Sequence, residues 1–377
     1  MKMKHVLLIL AALFLLLAGC AAEEDAETPA DDAADETVGE PVEEEAAAEG
    51  EIYEFSLAHF FPATHPAETE LVQGWADALY EESGGRIVIT SYYGGNLLKG
   101  NEIYEGVVSG IADIGLSAFF YTRGRFPVME VFELPGIIYE DSYAASKVAW
   151  EGIKELQPAE VQDTELMFVL ATGPGDLFTR EPVRSLEDLQ GMKIRVAGIN
   201  VETLALLGAD PLAMDQSEAY EALMRGMVEG NLAPVEVLQG WSQAEVTDYV
   251  TMTPFLYNAV FFVTMNQQKW DALPADLQDI FLAVNERFLT EVAAGLWDMQ
   301  NERALAWAVE ETGQEVITLS PEEQARWIEI IEPLQQDFVD RMNELGLPGQ
   351  EILDTVKRLS EEYKLPGCED GCGDTCS

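Results

Sequence analysis

Two stretches of the chain share one pattern, "YEGVVSGIADIG" at residues 104–115 and "YEALMRGMVEGN" at residues 220–231. Each begins with tyrosine and glutamate, has a glycine six residues after the tyrosine, and has an acidic residue three positions further on. Each is typical of a helix that a glycine ends and that leads back into a strand. Unless the match is a coincidence of common helix-end residues, the chain contains two similar lobes that face each other across a cleft.

The rest of the pattern favours the same architecture. Residues 51–60 and 86–93 resemble strands, and helical periodicity over residues 66–82 lies between them. Alternation of this kind predicts an α/β fold with largely parallel sheets. A length of 377 residues also suits two lobes, because single cores stop growing at roughly 250–300 residues.

Several helix signals refine this prediction. Ser185 and Asp188 form a capping-box pattern, and Ser217 is predicted to cap the helix of the second repeat. A helical pattern runs from Pro274 to about Glu311, long enough to brace both lobes. "SPEE" at residues 320–323 predicts another helix start, and we expect Pro333 to kink that helix.

The N-terminus predicts export. Lys2 and Lys4 precede an apolar run, Val6 to Leu17, that is too short to span a bilayer and resembles a secretory signal. The sequence "LAGC" resembles a bacterial lipobox, which implies a signal peptide over residues 1–19 and lipidation of Cys20. The alternative is an ordinary signal peptide with an incidental cysteine.

Acidic residues outnumber basic ones by 69 to 21. Residues 21–51 contain fourteen acidic residues and no basic ones, so residues 20–51 are predicted to be a lipidated, disordered tether. The whole chain carries a formal net charge of -48. This charge argues against nucleic acid and anionic lipid surfaces as partners, so we expect membrane contact only through the lipid anchor.

The cysteines near the C-terminus lie in a short tail, residues 366–377. Cys368, Cys372 and Cys376 do not follow the usual zinc spacing. The cysteines of an exported protein lie in an oxidising environment. This predicts one disulfide and one remaining thiol, with the pairing undetermined. Metal binding or an intermolecular disulfide is the alternative.

Enzymatic motifs are absent from the sequence. The only histidines are His5, His59 and His65; no phosphate-binding glycine loop, nucleophile elbow or HExxH motif occurs. His59 and His65 lie in "AHFFPATHP" and are interpreted as solvated or hydrogen-bonded loop side chains. We therefore expect no enzyme, no cofactor and no metal site.

Arg195 stands out among the basic residues. It lies near the end of the predicted strand in "GMKIRVAG", and ligands of open α/β sheets bind outside the carboxyl ends of strands. A buried guanidinium needs an anion, and its planar fork suits a carboxylate. Either a surface acid pairs with Arg195 or a ligand does.

Longer motifs resemble a known family over residues 52 to about 364. They are "YYGGNLLKGNEIYEGVVSGIADIG", "FPVMEVFELPG", "EPVRSLEDLQGMKIRVAG", "LGADPLAMDQSEAYEALMRGMVEGNLAPVE" and "FVTMNQQKWDALPADLQDIF". Together, in this order, they resemble the solute-binding proteins of TRAP transporters, the DctP-like family. The resemblance implies a periplasmic-binding-protein-like fold of two hinged lobes with a long C-terminal helix bracing both. It also implies that Arg195 binds a substrate carboxylate, and that the partners are the small and large TRAP membrane subunits.

The sequence departs from this family at two places. Many members carry a second basic residue where Gly175 stands here, and many carry asparagine where Ala233 stands here. A two-cation clamp is therefore not implied. The remaining candidate ligand-binding residues are polar or aromatic; they are Arg195, Phe119, Tyr121, Asp176, Asn231, Glu236 and Trp241.

These observations lead to one expected function. We expect an extracytoplasmic, lipid-anchored solute-binding protein that captures a small organic acid, a monocarboxylate, through Arg195 and lobe closure. Lobe I is predicted to comprise residues 52–172 and 259–298, and lobe II residues 173–258 and 299–365. The alternatives are a binding protein that serves a membrane sensor and a secreted hydrolase.

Overall fold

The computed structural model describes residues 50–364. The predicted signal peptide, Cys20, nearly all of the tether and Cys368, Cys372 and Cys376 lie outside the described residues. The strands are β1 (Tyr53–His59), β2 (Ile87–Tyr92), β3 (Ile114–Ala118), β4 (Thr164–Ala171), β5 (Asp176–Thr179), β6 (Lys193–Val196), β7 (Asp210–Ala213), β8 (Gly230–Ala233), β9 (Tyr249–Met252), β10 (Val260–Asn266) and β11 (Glu315–Thr318).

The helices lie between these strands and after them. They are α1 (Gln73–Glu82), α2 (Ile103–Val108), α3 (Ser142–Leu156), α4 (Leu186–Leu189), α5 (Asn200–Leu206), α6 (Gln216–Met224), α7 (Val237–Gly240), α8 (Gln267–Asp271), α9 (Ala275–Phe288), α10 (Leu296–Trp307), α11 (Pro321–Ile331), α12 (Pro333–Glu344) and α13 (Gly349–Glu362). Short π-helical segments precede α1 (Ala67–Val72) and follow α9 and α10 (Leu289–Ala293 and Ala308–Thr312).

The strands form two sheets, one for each lobe. The sheet of lobe I has the order β2-β1-β3-β10-β4, and the sheet of lobe II has the order β11-β9-β5-β8-β6-β7. This arrangement confirms the predicted α/β fold with two lobes. The sheets are mixed and not largely parallel, because β10 is antiparallel to both its neighbours and β5 is antiparallel to both of its own.

Two crossing connections join the lobes. The chain leaves lobe I after β4 and enters lobe II at β5, and it returns from β9 to β10. The antiparallel strand of each sheet therefore comes directly after a crossing. Residues 172–175 and 253–259 make these crossings and lie where a hinge between the lobes must lie.

The two repeats occupy corresponding places in the two sheets. In each, a glycine in the left-handed region ends the helix, Gly110 with φ 76° and Gly226 with φ 68°, and the chain returns into β3 or β8. The acidic residue of each repeat accepts a backbone N–H from the neighbouring strand, Asp113 from Ser56 at 2.8 Å and Glu229 from Lys193 at 3.0 Å. The repeat is therefore structural.

The helical region that begins after Pro274 contacts both lobes. It is divided into α9 and α10 by a π-helical segment and a turn. On α10, Asp298 accepts the backbone N–H of Ser142 in lobe I at 2.6 Å, and Asn301 accepts that of Glu236 in lobe II at 2.9 Å. The predicted bracing of both lobes is therefore present, although the helix is interrupted.

The last three helices divide between the lobes. Arg326 on α11 pairs with Glu187 of lobe II at 2.8 Å, whereas Arg358 on α13 pairs with Glu155 on α3 of lobe I at 2.5 Å. Arg341 on α12 also pairs with lobe I, at Glu130, 2.9 Å away. Assigning all of residues 299–365 to lobe II was therefore wrong for α12 and α13. The amphipathic pattern of a helix shows that one face is buried, but not against which lobe.

Most of the predicted helix starts and ends are present in the structure. The capping box of Ser185 and Asp188 is present, and the helix ends at Ile331 before Pro333. Ser217 is not the cap of α6, because Asp215 and Glu218 form a capping box two residues earlier. Within residues 50–364, no helix is both long and apolar enough to cross a bilayer.

Candidate functional site

A cavity lies where the two lobes meet, beside both crossing connections. The enclosed space is small, about 20 Å³, and it is partly open to solvent. Residues of both lobes line it, and most are aromatic; they are Phe60, Phe61, Phe120, Tyr121, Thr172, Arg195, Gln216, Pro234, Glu236, Val237, Trp241, Tyr257, Phe261 and Trp297.

Arg195 contributes the cation of this cavity. It lies on β6 between β7 and β8, and its side chain is 2% exposed. Its Nε donates to the carbonyl of Met214 at 3.0 Å, and its Nη1 donates to Gln216 Oε1 at 2.8 Å and to Asn231 Oδ1 at 3.2 Å. No acid among residues 50–364 forms an ion pair with it, and its buried Nη2 has no partner there.

Gln216 supplies a second unpaired donor. Its Oε1 accepts from Arg195 and from Asn231 Nδ2, at 2.8 and 3.4 Å, so its Nε2 is left over, and this buried atom has no partner among the described residues. Gln216 and Arg195 both line the cavity. Two unpaired N–H donors beside one positive charge complement a carboxylate, which has two acceptor oxygens.

Asn231 lies behind these two residues and not in the cavity lining. It is paired with Arg195 across β6 and β8, so both side chains leave the same face of the sheet. Its Nδ2 donates to Gln243 Oε1 at 2.8 Å. Asn231 therefore orients the side chains of Arg195 and Gln216 from behind the cavity lining.

Aromatic rings from both lobes form the walls. Phe60 stacks on Phe61 with centroids 4.4 Å apart, and the ring of Tyr121 meets Phe60 edge-on at 5.3 Å. Trp297 stacks on Phe261 at 5.3 Å. Predicted residues Tyr121 and Trp241 are part of this lining, whereas Phe60 and Phe61 were not recognised from the sequence.

Glu236 brings a carboxylate to the same cavity. It lies between β8 and α7, and its Oε2 is 3.1 Å from Nε2 of His65, which belongs to lobe I. Both side chains are buried. His65 was interpreted as a loop histidine, and the sequence offers no signal that it faces an acid 171 positions later.

Besides Asn231, two predicted residues do not reach the cavity. Phe119 packs into the core against Phe126 and Phe262, each with centroids 5.0 Å away, and its neighbour Phe120 takes the lining position. Asp176 is buried at the start of β5, where its Oδ1 accepts the backbone N–H of Thr253. Burial raises the pKa of Asp176 to about 7. Both were expected to contact ligand on sequence position alone, which does not determine the direction of a side chain.

Gly175, where the resemblance led us to look for a second basic residue, leaves no room for a side chain. A Cβ on Gly175 would lie 2.5 Å from the ring of Tyr257 and 2.9 Å from the carbonyl oxygen of Ala233. Among the described residues that line the cavity, Arg195 is the only arginine or lysine.

Comparison with known proteins shows the family to which the chain belongs. The sequence model of "Bacterial extracellular solute-binding protein, family 7" (DctP) matches residues 57–341. The C4-dicarboxylate-binding periplasmic protein DctP of Rhodobacter capsulatus is 27% identical over 311 residues, which are 79% of this chain and 90% of that protein.

Solved structures of related proteins share the fold. A TRAP solute-binding protein from a marine metagenome, specific for aromatic acid ligands and co-crystallised with 3-hydroxybenzoate, is 27% identical with a TM-score of 0.80; the match covers 84% of this chain and all of that one. A TRAP solute-binding protein of Rhodoferax ferrireducens T118, in complex with copurified benzoate, is 26% identical with a TM-score of 0.75 and covers 82% of this chain and 98% of its own. The chain therefore belongs to family 7 of the bacterial extracellular solute-binding proteins, the DctP-like proteins of TRAP transporters.

Proposed function

We propose that this protein captures a small aromatic monocarboxylate between its two lobes and delivers it to a TRAP transporter. One observation carries the proposal. A buried guanidinium, Arg195, and a buried amide, Gln216, each keep an unpaired donor in a cavity walled by aromatic rings. A carboxylate supplies the missing charge and both acceptors.

Burial makes this interaction strong. A cation removed from water without a counterion is destabilised, and pairing it inside a low-dielectric site recovers that free energy. The residues that meet the ligand come from both lobes, so a bound acid stabilises the closed form through contacts that the open form lacks. Capture by closure follows from this difference.

The cavity favours one carboxylate and an apolar body. Arg195 is the only cation in the lining, and Gly175 leaves no room for a second. Ring walls such as Phe60 and Trp241 offer flat apolar faces on which an aromatic ligand can stack. Relatives whose structures contain 3-hydroxybenzoate and benzoate support the same ligand class.

The site is tested by calorimetric titration of the purified protein with a panel of aromatic, aliphatic and dicarboxylic acids. Arg195→Ala is expected to weaken aromatic acid binding by about 3 kcal/mol or more, because it leaves the ligand carboxylate buried without its partner. Arg225→Ala is the matched control, since Arg225 is exposed on the surface of lobe II and pairs only with Glu221. Binding that survives the loss of Arg195 would contradict the proposed site.

The remaining parts of the proposal concern location and partners. The lipobox-like "LAGC" and the acidic stretch that follows it support a lipid anchor on Cys20 and a tether that holds residues 52–364 outside the cytoplasmic membrane. The small and large TRAP membrane subunits would then receive the ligand for ion-gradient-driven uptake. Cys20→Ser is expected to move the protein from the membrane fraction to the soluble fraction. Co-purification with a membrane sensor in place of the TRAP subunits would contradict the role in transport and support one in sensing.

A further inference from the structure

The carboxylate of Glu236 and the imidazole of His65 meet across the boundary between the lobes. Their Oε2 and Nε2 atoms are 3.1 Å apart, and both side chains are nearly inaccessible to solvent. His65 follows β1 in lobe I, and Glu236 follows β8 in lobe II. Neither residue is needed to bind the carboxylate of the ligand.

The hydrogen bonds fix which nitrogen of His65 carries the proton. Its Nδ1 accepts the backbone N–H of Ala67 at 3.0 Å, so that nitrogen is unprotonated. The neutral ring must then hold its proton on Nε2 and donate it to Glu236. This bond satisfies one carboxylate oxygen of Glu236 and leaves the ring uncharged.

The second oxygen of Glu236 has no such partner. No donor among residues 50–364 reaches its Oε1, and Glu236 lines the same cavity as Arg195. This oxygen is not among the buried unpaired atoms, so it stays accessible at the cavity, and a ligand that shields it from water without supplying a donor would bind at a cost. Among the described residues, the lining therefore combines a free acceptor oxygen on Glu236 with unpaired N–H donors on Arg195, Gln216, Trp241 and Trp297.

We propose that Glu236, oriented by His65, recognises a hydroxyl or amino group at the end of the ligand opposite its carboxylate. This inference rests on the proposed function and narrows it from aromatic acids in general to hydroxy- or amino-substituted ones. A ligand with a plain ring would shield Oε1 of Glu236 from water without giving it a donor, whereas a donor on the ring would complete the hydrogen bonds of this carboxylate.

Gly240 keeps the space for this arrangement. A Cβ at this position would lie 2.7 Å from Glu236 Oε2 and 3.0 Å from Cδ2 of His65. A side chain at residue 240 would therefore displace the carboxylate from the imidazole. This provides a second variant that disturbs the pair without removing the charge.

The test compares matched probes by calorimetric titration of the full chain. The probes are benzoate, the three hydroxybenzoates and the three corresponding methoxybenzoates, together with the phenylacetate counterparts. The wild type should bind at least one hydroxy acid about tenfold or more tightly than its methoxy and unsubstituted partners, as expected for a hydrogen bond to a charged acceptor.

Glu236→Gln should remove this preference, measured as the ratio of the affinities of that variant for a hydroxy acid and for its methoxy and unsubstituted partners. The glutamine oxygen can still accept from His65, but its amide then presents a donor to the ligand. A ligand-free Tm close to that of the wild type shows that the variant is folded. Gly240→Ala should reduce the preference in the same direction, and His65→Phe should do so by removing the donor that orients the carboxylate.

The outcomes separate this inference from the proposed function. A wild type that binds hydroxy and methoxy acids equally, or a Glu236→Gln variant that keeps the preference, would overturn the inference while aromatic acid binding stands. A wild type that binds none of the aromatic probes would overturn both.

Discussion

The hydroxyl of Tyr121 accepts the backbone N–H of Gln216 across the boundary between the lobes, at 3.1 Å. Tyr121 belongs to the segment that follows β3 in lobe I, and Gln216 is the first residue of α6 in lobe II. Burial raises the pKa of Tyr121, so its hydroxyl stays neutral. The bond ties the aromatic wall to the residue that lies beside Arg195.

Tyr121→Phe is expected to weaken ligand binding while sparing the ligand-free protein. In the closed form the N–H of Gln216 would be buried without an acceptor, which costs about 1–2 kcal/mol. In the open form water can reach the same group. Titration calorimetry should therefore show a larger Kd, and thermal unfolding without ligand should show an unchanged Tm. Tyr220→Phe is the control, because the hydroxyl of Tyr220 bonds only to Glu245 on the surface of lobe II.

If Tyr121→Phe lowers the ligand-free Tm as much as it lowers affinity, the hydroxyl stabilises the fold in general and does not act selectively in closure.

Glu133 predicts an unusual dependence of stability on pH. Its side chain is buried, and its Oε1 accepts the backbone N–H of Val260 at 2.9 Å, at the start of β10. Burial raises the pKa of Glu133 to about 8. At pH values between the ordinary pKa of a glutamate and about 8, Glu133 therefore keeps its proton in the folded protein but has lost it in the unfolded chain. The contribution of Glu133 to stability is thus full at acidic pH and is lost as the pH rises through this window, by up to about 1.4 kcal/mol per pH unit.

Glu133→Gln keeps the acceptor for Val260 and removes the titrating group. We expect its free energy of unfolding to fall less than that of the wild type between pH 6 and about 9, so that the variant is the more stable protein at the upper end. Denaturation by urea at several pH values measures this. Glu286→Gln, at an exposed position on α9, is the control. Parallel pH curves for wild type and Glu133→Gln would show that Glu133 is ionised throughout.

The sequence predicted Arg195 because a strand, an arginine and a glycine in that order place a cation at the carboxyl end of a sheet. The repeat likewise predicted two lobes, since helix ends and the strands that follow them are local features. Asp113 and Glu229 show what the acidic residue of each repeat does, because each accepts a hydrogen bond from the neighbouring strand in its own lobe.

The residues that the sequence missed are those defined by long-range contact. Gln216 has no local mark that distinguishes it from any other glutamine in a first helical turn. His65 and Glu236 are 171 positions apart and meet only because the chain crosses between lobes. Phe119 and Phe120 are adjacent, and the backbone turn after β3 decides which one lines the cavity. Such choices depend on packing that periodicity does not encode.

Salt should stabilise this protein. The chain has 69 acidic and 21 basic residues, so most carboxylates cannot have a cationic partner and repel one another. Ions at about 1 M screen such repulsion over a few ångströms. We expect the Tm to rise by several degrees between dilute buffer and molar potassium chloride, which would fit a salt-rich habitat. Equal stability in both solutions would show that the acidic surface serves solubility alone.

Discrimination against dicarboxylates follows from the charges that surround the cavity. A second ligand carboxylate would find no cation besides Arg195 and would approach the carboxylate of Glu236, a like charge in a poorly solvated site. Benzoate and its three ring dicarboxylates form a matched series, since they share one ring and differ by one charged group. Benzoate should raise the Tm in a thermal-shift assay, and the dicarboxylates and succinate should not. If Glu236 causes the rejection, Glu236→Gln should gain measurable binding of at least one ring dicarboxylate. Binding of succinate by the wild type as tight as that of benzoate would show instead that a single buried guanidinium does not select for monocarboxylates, and that the second carboxylate reaches solvent.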